Sequence, residues 1–182
     1  MRISHLILVF TLTCSAVIAG PLQGSGTKKS FRASDYASLD AIITALYESV
    51  SGDAGEKNDW QRLRSLFDPH ARLMPVVWEG EEQFSLRTLS VDEYVRLASK
   101  YFEARSFYER EIARRVDTFG SMAHVLSTYE AFESRGSSIP VKRGINSIQL
   151  YFDGTRWWIL SILWDDERES MPIPPEYLFS QE

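Results

Sequence analysis

The segment Trp157-Trp158-Ile159-Leu160-Ser161-Ile162-Leu163-Trp164 is apolar at every position except Ser161, and it follows the turn dipeptide Asp153-Gly154. A strand with one face in water alternates apolar and polar residues. An apolar run of this length instead predicts a strand covered on both faces. The second face must then be covered by a partner or by the chain's own tail. This strand closes a packed sheet, and the residues before it supply the rest.

Leu39, Ile42, Ile43, Leu46 and Val50 fall on one helical stripe, so a first helix is expected from a cap at Ser34-Asp35 to about Ser51. Asp59 is placed to cap a second helix with Trp60, Leu63 and Leu66-Phe67 on its inner side. Asp68-Pro69 ends it. His70 to Trp78 reads as a strand, followed by a charged connector to Leu89 with room for a short strand. Ser90 and Glu93 form a capping-box pattern at the start of a third helix, to about Glu103. Strands at about Phe107–Phe119, Met122–Ser134 and Val141–Phe152 precede the tryptophan strand, and Gly120-Ser121 reads as a hairpin turn. The order is helix, helix, strand, helix and four strands. It predicts an α+β fold with a strongly curved antiparallel sheet and three helices on its concave face. Trp60, Trp78 and Trp164 are expected in the core.

The N-terminus has the pattern of a secretory signal peptide. Arg2 supplies the positive charge, Ile3 to Ile18 is mostly apolar, and Val17-Ile18-Ala19 offers small residues for cleavage after Ala19. Thr11-Leu12-Thr13 before Cys14 departs from the small-residue pattern of a lipidation site. The expected organisation is a signal peptide at 1–19, a flexible leader at 20–34, one domain at 35–166 and a proline-containing tail at 167–182. Cleavage would leave 163 of the 182 residues, remove the single cysteine, and shift the net charge from −5 to −6 by removing Arg2. A secreted or periplasmic protein without stable membrane insertion is expected. A thiolate metal site and a cysteine nucleophile are excluded from it. The acidic balance and scattered basic residues argue against a nucleic-acid partner. His70 and His124 lack metal-ligand spacing, and no phosphate loop or nucleophile elbow occurs, so neither metal nor cofactor is expected.

Three strings make the chain resemble the nuclear transport factor 2-like superfamily, which includes ketosteroid isomerases, scytalone dehydratase and SnoaL-type cyclases. They are Leu66-Phe67 before the first strand, Ala123-x-Val125 after a glycine turn, and Asp153-Gly154-x-Arg156-Trp157-x-Ile159. The resemblance covers about Asp35 to Trp164 and implies a cone-shaped sheet whose mouth is closed by helices. Phe107-Tyr108-Glu109-Arg110-Glu111, Ala123 to Glu130, Arg143 to Leu150 and the tail Pro172 to Leu178 are similar to a small exported bacterial subgroup of unassigned activity.

Strand parity sorts the candidate site residues. With the Gly120-Ser121 turn, the concave face is expected to carry Tyr108, Arg110, Ile112, Arg114, Ser127 and Tyr129, joined by Asn146 from the next strand. A cavity lined by Tyr108, Arg110, Ser127, Tyr129 and Asn146 would suit a small apolar or amphipathic ligand. Each has a plainer alternative: a core tyrosine, an asparagine satisfying backbone groups, an arginine paired with a helix carboxylate. On the opposite face Asp117 is expected across from His124, and Glu111 across from Glu130. An Asp-His pair can act as a general base, but on a convex face the favoured reading is a solvated charge pair or a dimer contact.

Three functions remain open at this point. One is an exported small-molecule binder that forms a homodimer through the doubly apolar strand. The second is a cofactor-free isomerase, dehydratase or cyclase, with Tyr129 as donor and His124 with Asp117 as base. The third is a protein-interaction module.

Overall fold

The computed structural model describes residues 32–56 and 58–180. The expected signal peptide and almost all of the leader lie outside the described residues. The architecture is α+β: helices α1 (Leu39–Val50), α2 (Trp60–Leu66) and α3 (Val91–Ala104) pack on a curved sheet of six strands. These are β1 (Phe67–Gly80), β2 (Gln83–Leu86), β3 (Tyr108–Phe119), β4 (Met122–Phe132), β5 (Lys142–Phe152) and β6 (Trp157–Asp166), in the spatial order β2-β1-β6-β5-β4-β3. The sheet does not close into a barrel. It is mixed, because β1 runs parallel to β6 while every other pair is antiparallel. Helix α3 and the antiparallel strands β3 to β5 separate the two parallel partners in sequence, which gives the crossover that parallel pairing needs.

Local chemistry sets the helix ends. Ser38 accepts from the Ala41 amide and Asp59 from the Arg62 amide. At α3 the Ser90 side chain accepts from the Glu93 amide while Glu93 accepts from the Ser90 amide, which completes the expected capping box. The first helix starts later than expected: Ser38, not Ser34-Asp35, is its cap, and Ala33–Tyr36 forms a short 3-10 helix instead. That frees the Asp35 side chain to bind Arg62 of α2.

The core lies between the helices and the concave sheet face. Ile42, Ile43, Leu63 and Leu66 meet Val125, Ile148, Leu150 and Ile159 there, all fully buried. The tryptophan strand departs from expectation. Ile159 and Ile162 are buried, but Leu160 is 40% and Leu163 38% exposed. Register shifts in β6 opposite Gln149/Leu150, so Leu160 is an extra residue, and the bulge turns both isoleucines inward although they are three apart. The outer face of β6 is therefore open in the single chain. Trp78 also leaves the core; it is 56% exposed on the β1–β2 hairpin, its indole donating to the Glu81 carbonyl.

The tail folds back over a different part of the outer face. Thr128 donates to the Tyr177 carbonyl at 2.6 Å, and the Arg115 guanidinium lies 5.6 Å from the centre of the Tyr177 ring. No helix among the described residues is long and apolar enough to cross a membrane.

Candidate functional site

The helices do not fill the cone. A cavity of about 570 Å³ remains between them and the sheet. Its walls are mostly apolar. Leu46 and Val50 come from α1, Tyr94, Ala98 and Phe102 from α3, and Ile162 and Trp164 from β6. Aromatic contacts stiffen these walls: Phe102 lies 5.1 Å from Phe107, and Tyr94 stands edge-on to Trp164 at 6.3 Å. Leu97, Tyr101 and Val141 line the cavity and are also solvent-exposed, so they mark its open side.

One end of the cavity is polar. Glu109 of β3, Tyr129 of β4, Lys142 and Asn146 of β5, Asp166 of β6 and Tyr47 of α1 converge there. The Tyr129 hydroxyl donates to Asp166 Oδ1, and Lys142 Nζ binds Asp166 Oδ2 at 2.7 Å. Gly144, the register partner of Tyr129 on β5, makes this possible. A Cβ at 144 would lie 2.5 Å from the Tyr129 hydroxyl and would also meet the Asp165 carbonyl. Glycine lets the ring lie flat across the neighbouring strand.

A directed chain of hydrogen bonds runs from this end into the core. Ser127 donates to Glu111 Oε1 at 2.5 Å, which uses its only proton. The Tyr47 hydroxyl, 2.6 Å from Ser127 Oγ, must then be the donor in that pair, and it accepts from Asn146 Nδ2 at 3.1 Å. Glu111 is held in turn by Arg114, which also reaches Asp40 of α1. Asn146 Nδ2 has a second proton, directed at Glu109 Oε1 over 3.4 Å.

Glu109 is the outlying group. It sits deep in the protein, yet it is partly accessible because it forms cavity wall. Burial away from water, followed by the nearby Asp166 carboxylate, pushes its carboxyl up to about 7, against the opposing pull of Asn146 and Lys142. Burial also raises the Tyr47, Tyr94 and Tyr129 hydroxyls; Glu109 is the next cause for Tyr47 and Tyr94, and Asp166 for Tyr129. All three stay neutral donors at ordinary pH.

The expected site residues divide between the two faces. Tyr129 and Asn146 line the cavity. Ser127 is fully buried behind it, touching it only through Tyr47. Tyr108 and Arg110 are elsewhere. Arg110 pairs with Glu130 at 3.1 Å and lies over the Phe132 ring, with its side chain 58% exposed, and Tyr108 stacks beneath Arg135. The cause is a bulge at Ile112. Pairing runs as expected from Asp117↔His124 to Ala113↔Thr128, then shifts by one so that Glu111 faces Tyr129 and Arg110 faces Glu130. The shift turns Glu109 and Glu111 inward and Tyr108 and Arg110 outward. Glu111 therefore does not face Glu130. Asp117 and His124 are register partners on the outer face, but the His124 ring bonds to Ser147 at 2.9 Å, not to Asp117. They are on the opposite side of the sheet from Tyr129. Parity alone misses Glu109. The one signal of the bulge is the adjacent apolar pair Ile112-Ala113, which breaks the alternation of β3 between two charged runs.

No family model matches the chain, and no curated protein does. Solved structures do resemble it in shape. One is a protein of unknown function with a cystatin-like fold from Nostoc punctiforme, with a TM-score of 0.55 at 10% identity over 75% of this chain and 92% of that one. Another, from Streptomyces avermitilis, is put forward as a dehydratase of the nuclear transport factor 2-like family, with a TM-score of 0.53 at 15% identity over 71% and 94%. A third, from Novosphingobium aromaticivorans, is put forward as a scytalone dehydratase, with a TM-score of 0.50 at 12% identity over 71% and 82%. Helix order, curved sheet and these likenesses agree: the chain has the nuclear transport factor 2-like fold.

Proposed function

We propose that the protein binds a small apolar or amphipathic molecule inside its cone. The cavity carries this reading: about 570 Å³, apolar along its walls and polar at one end. A space of that size suits a ligand of modest molecular mass, with the polar end setting its orientation. The test fills the space. Ala98 lines the wall from α3, so Ala98→Trp would place its side chain in the cavity. Native mass spectrometry of protein purified from its source should show a small-molecule adduct in the wild type and none in the variant. An adduct retained by Ala98→Trp would place binding elsewhere and defeat the reading.

A second reading is cofactor-free proton transfer, as in an isomerase or dehydratase. Glu109 favours it, because a carboxyl raised to about 7 inside an apolar cavity can take and return protons near neutrality. Tyr94, whose hydroxyl has no partner among the described residues and whose ionisation Glu109 opposes, is the adjacent donor. Glu109 replaces His124 and Asp117 as base, Tyr94 replaces Tyr129 as donor, and Tyr129, committed to Asp166, becomes a positioning residue. Solvent deuterium incorporation into a bound carbonyl compound, abolished by Glu109→Gln, is the expected result. Retention in that variant would exclude it.

We also infer export, which rests on Arg2, the apolar Ile3 to Ile18 stretch and the small residues before Gly20. A homodimer is proposed through the outer face of β6, where the bulge leaves Leu160 and Leu163 exposed together. Sedimentation should show a dimer that Leu163→Lys dissociates; a wild-type monomer at micromolar concentration would rule it out.

A further inference from the structure

The polar end of the cavity has an imbalance between donors and acceptors. Among its donors Tyr129 serves Asp166, Tyr47 serves Ser127 and Asn146 serves Tyr47, while Lys142 gives Asp166 one of its three protons and the Tyr94 hydroxyl is unengaged among the described residues. Acceptor capacity is left over, and most of it belongs to Glu109. This carboxylate receives one long hydrogen bond, 3.4 Å from Asn146, and forms no ion pair among the described residues. Lys142, the cation beside it, is bound to Asp166, and Arg87, the other cation of the cavity lining, makes no ion pair with Glu109.

The groups facing Glu109 from each packed element are Tyr47 on α1, Tyr94 on α3, Tyr129 on β4, Lys142 and Asn146 on β5, and Asp166 on β6. Most of them are neutral or acidic. A ligand carboxylate placed here would meet Glu109 and Asp166 in a space that largely excludes water. A ligand ammonium would meet an open carboxylate and the electron-rich faces of aromatic rings, both of which attract a cation. Resting on the cavity reading above, we propose that the cavity selects a molecule with a protonated amine on an apolar body, the nitrogen at Glu109 and the body along α3 toward Leu97 and Tyr101. The amine then supplies the partner that the fold leaves out.

A coupling to pH follows. Binding a cation favours the ionised carboxylate, so binding below about 7 must release a proton from Glu109. The sign is opposite to that of a carboxylate ligand, which would take up a proton.

The test is a series of equal body and different head: octylamine, octanol and octanoate, titrated calorimetrically into the full protein at about pH 8.5, where an alkylamine of Lys-like pKa is still charged. Octylamine should bind about tenfold or more tighter than octanol, with octanoate weakest. Glu109→Gln should abolish the amine's advantage, so that octylamine and octanol bind the variant within about twofold of each other. In the wild type, the advantage should shrink toward about pH 5.5, and octylamine should release protons near about pH 6, read from buffers of different ionisation enthalpy. This second measurement needs no variant and decides the matter if Glu109→Gln fails to fold. Equal binding of amine and alcohol, or preference for octanoate, overturns the amine inference while leaving the cavity reading intact. Binding of none of the three, together with an unaltered adduct in Ala98→Trp, sinks the cavity reading and the inference with it.

Discussion

Two regions of this molecule take a charge out of water, and they handle it in opposite ways. In the helix layer, Arg62 donates from Nε and Nη2 to both oxygens of Asp35, at 2.7 and 2.9 Å, and from Nη2 to Glu48 at 2.8 Å. Arginine and aspartate side chains are about one-tenth exposed, and the fork geometry fills the carboxylate's acceptors in its plane. In the cavity, Glu109 has a single long bond and a cation that is engaged elsewhere. Both groups are costly to bury. The first is compensated by the protein itself, so it ties the N-terminal 3-10 helix to α1 and α2 and asks nothing of a ligand. The second is left short of partners in a place where another molecule can reach it. The incomplete set, rather than the charge, distinguishes a site from a scaffold.

Breaking the complete set should have the largest effect. Asp35→Ala would leave a guanidinium buried with Glu48 alone, and a destabilisation of about 3–5 kcal/mol is expected. Urea unfolding followed by far-ultraviolet circular dichroism measures it. A double change to apolar residues, Asp35→Leu with Arg62→Met, should recover much of that loss, because no orphaned charge remains. A small effect from Asp35→Ala would mean that the helix-layer pair is no better satisfied than Glu109, and the contrast would fail.

The next effect tests how the polar end is built. Gly144→Ala sets a methyl against the Tyr129 hydroxyl and the Asp165 carbonyl, one of them backbone that cannot swing aside. Overpacking of this kind should cost about 2–3 kcal/mol. It should also push Tyr129 off Asp166, which would alter the near-ultraviolet dichroism of the aromatic wall before global unfolding. Unchanged stability would show that the ring is free to move and that the polar end is not preorganised.

Much of this arrangement was legible in the sequence, and the part that was not has a definite cause. Helical periodicity placed the three helices and caps set the start of the second and third, the Gly120-Ser121 turn placed the first long hairpin, and the strings around Asp153-Gly154 pointed to the fold. Asn146 and Tyr129 also came out on the cavity side. Two bulges defeated the rest. A single extra residue at Ile112 exchanges Glu109 for Tyr108 and Arg110 on the concave face, and one at Leu160 exposes a strand that reads as doubly buried. Side-chain parity has a period of two, so an extra residue reverses every assignment beyond it. Neither bulge carries the glycine that would announce it. The parallel pairing of β1 with β6 was hidden for another reason: strand order is decided by long-range packing, which local pattern does not encode.

The smallest expected effect bears most directly on the contrast, because its sign is the reverse of the other two. Glu109 has an ordinary carboxyl value of 4.5 and is raised to about 7 in the folded protein. Between those values the folded state holds a proton that the unfolded state has lost, so wild-type stability must fall as pH rises through that window. Glutamine has nothing to lose. Glu109→Gln should match the wild type below about pH 4.5 and exceed it by about 1–2 kcal/mol above about pH 7.5, less than the full shift implies because the cavity is open on one side and solvent beyond it screens the charge. Urea titrations at the two ends of the window read the difference. A gain at high pH, joined to lost affinity for an amine, is what a site kept at some cost to stability should show. A loss at high pH would mean that the Glu109 carboxylate is as well provided for as that of Asp35, and the cavity would then be a space without a built-in demand for a cation.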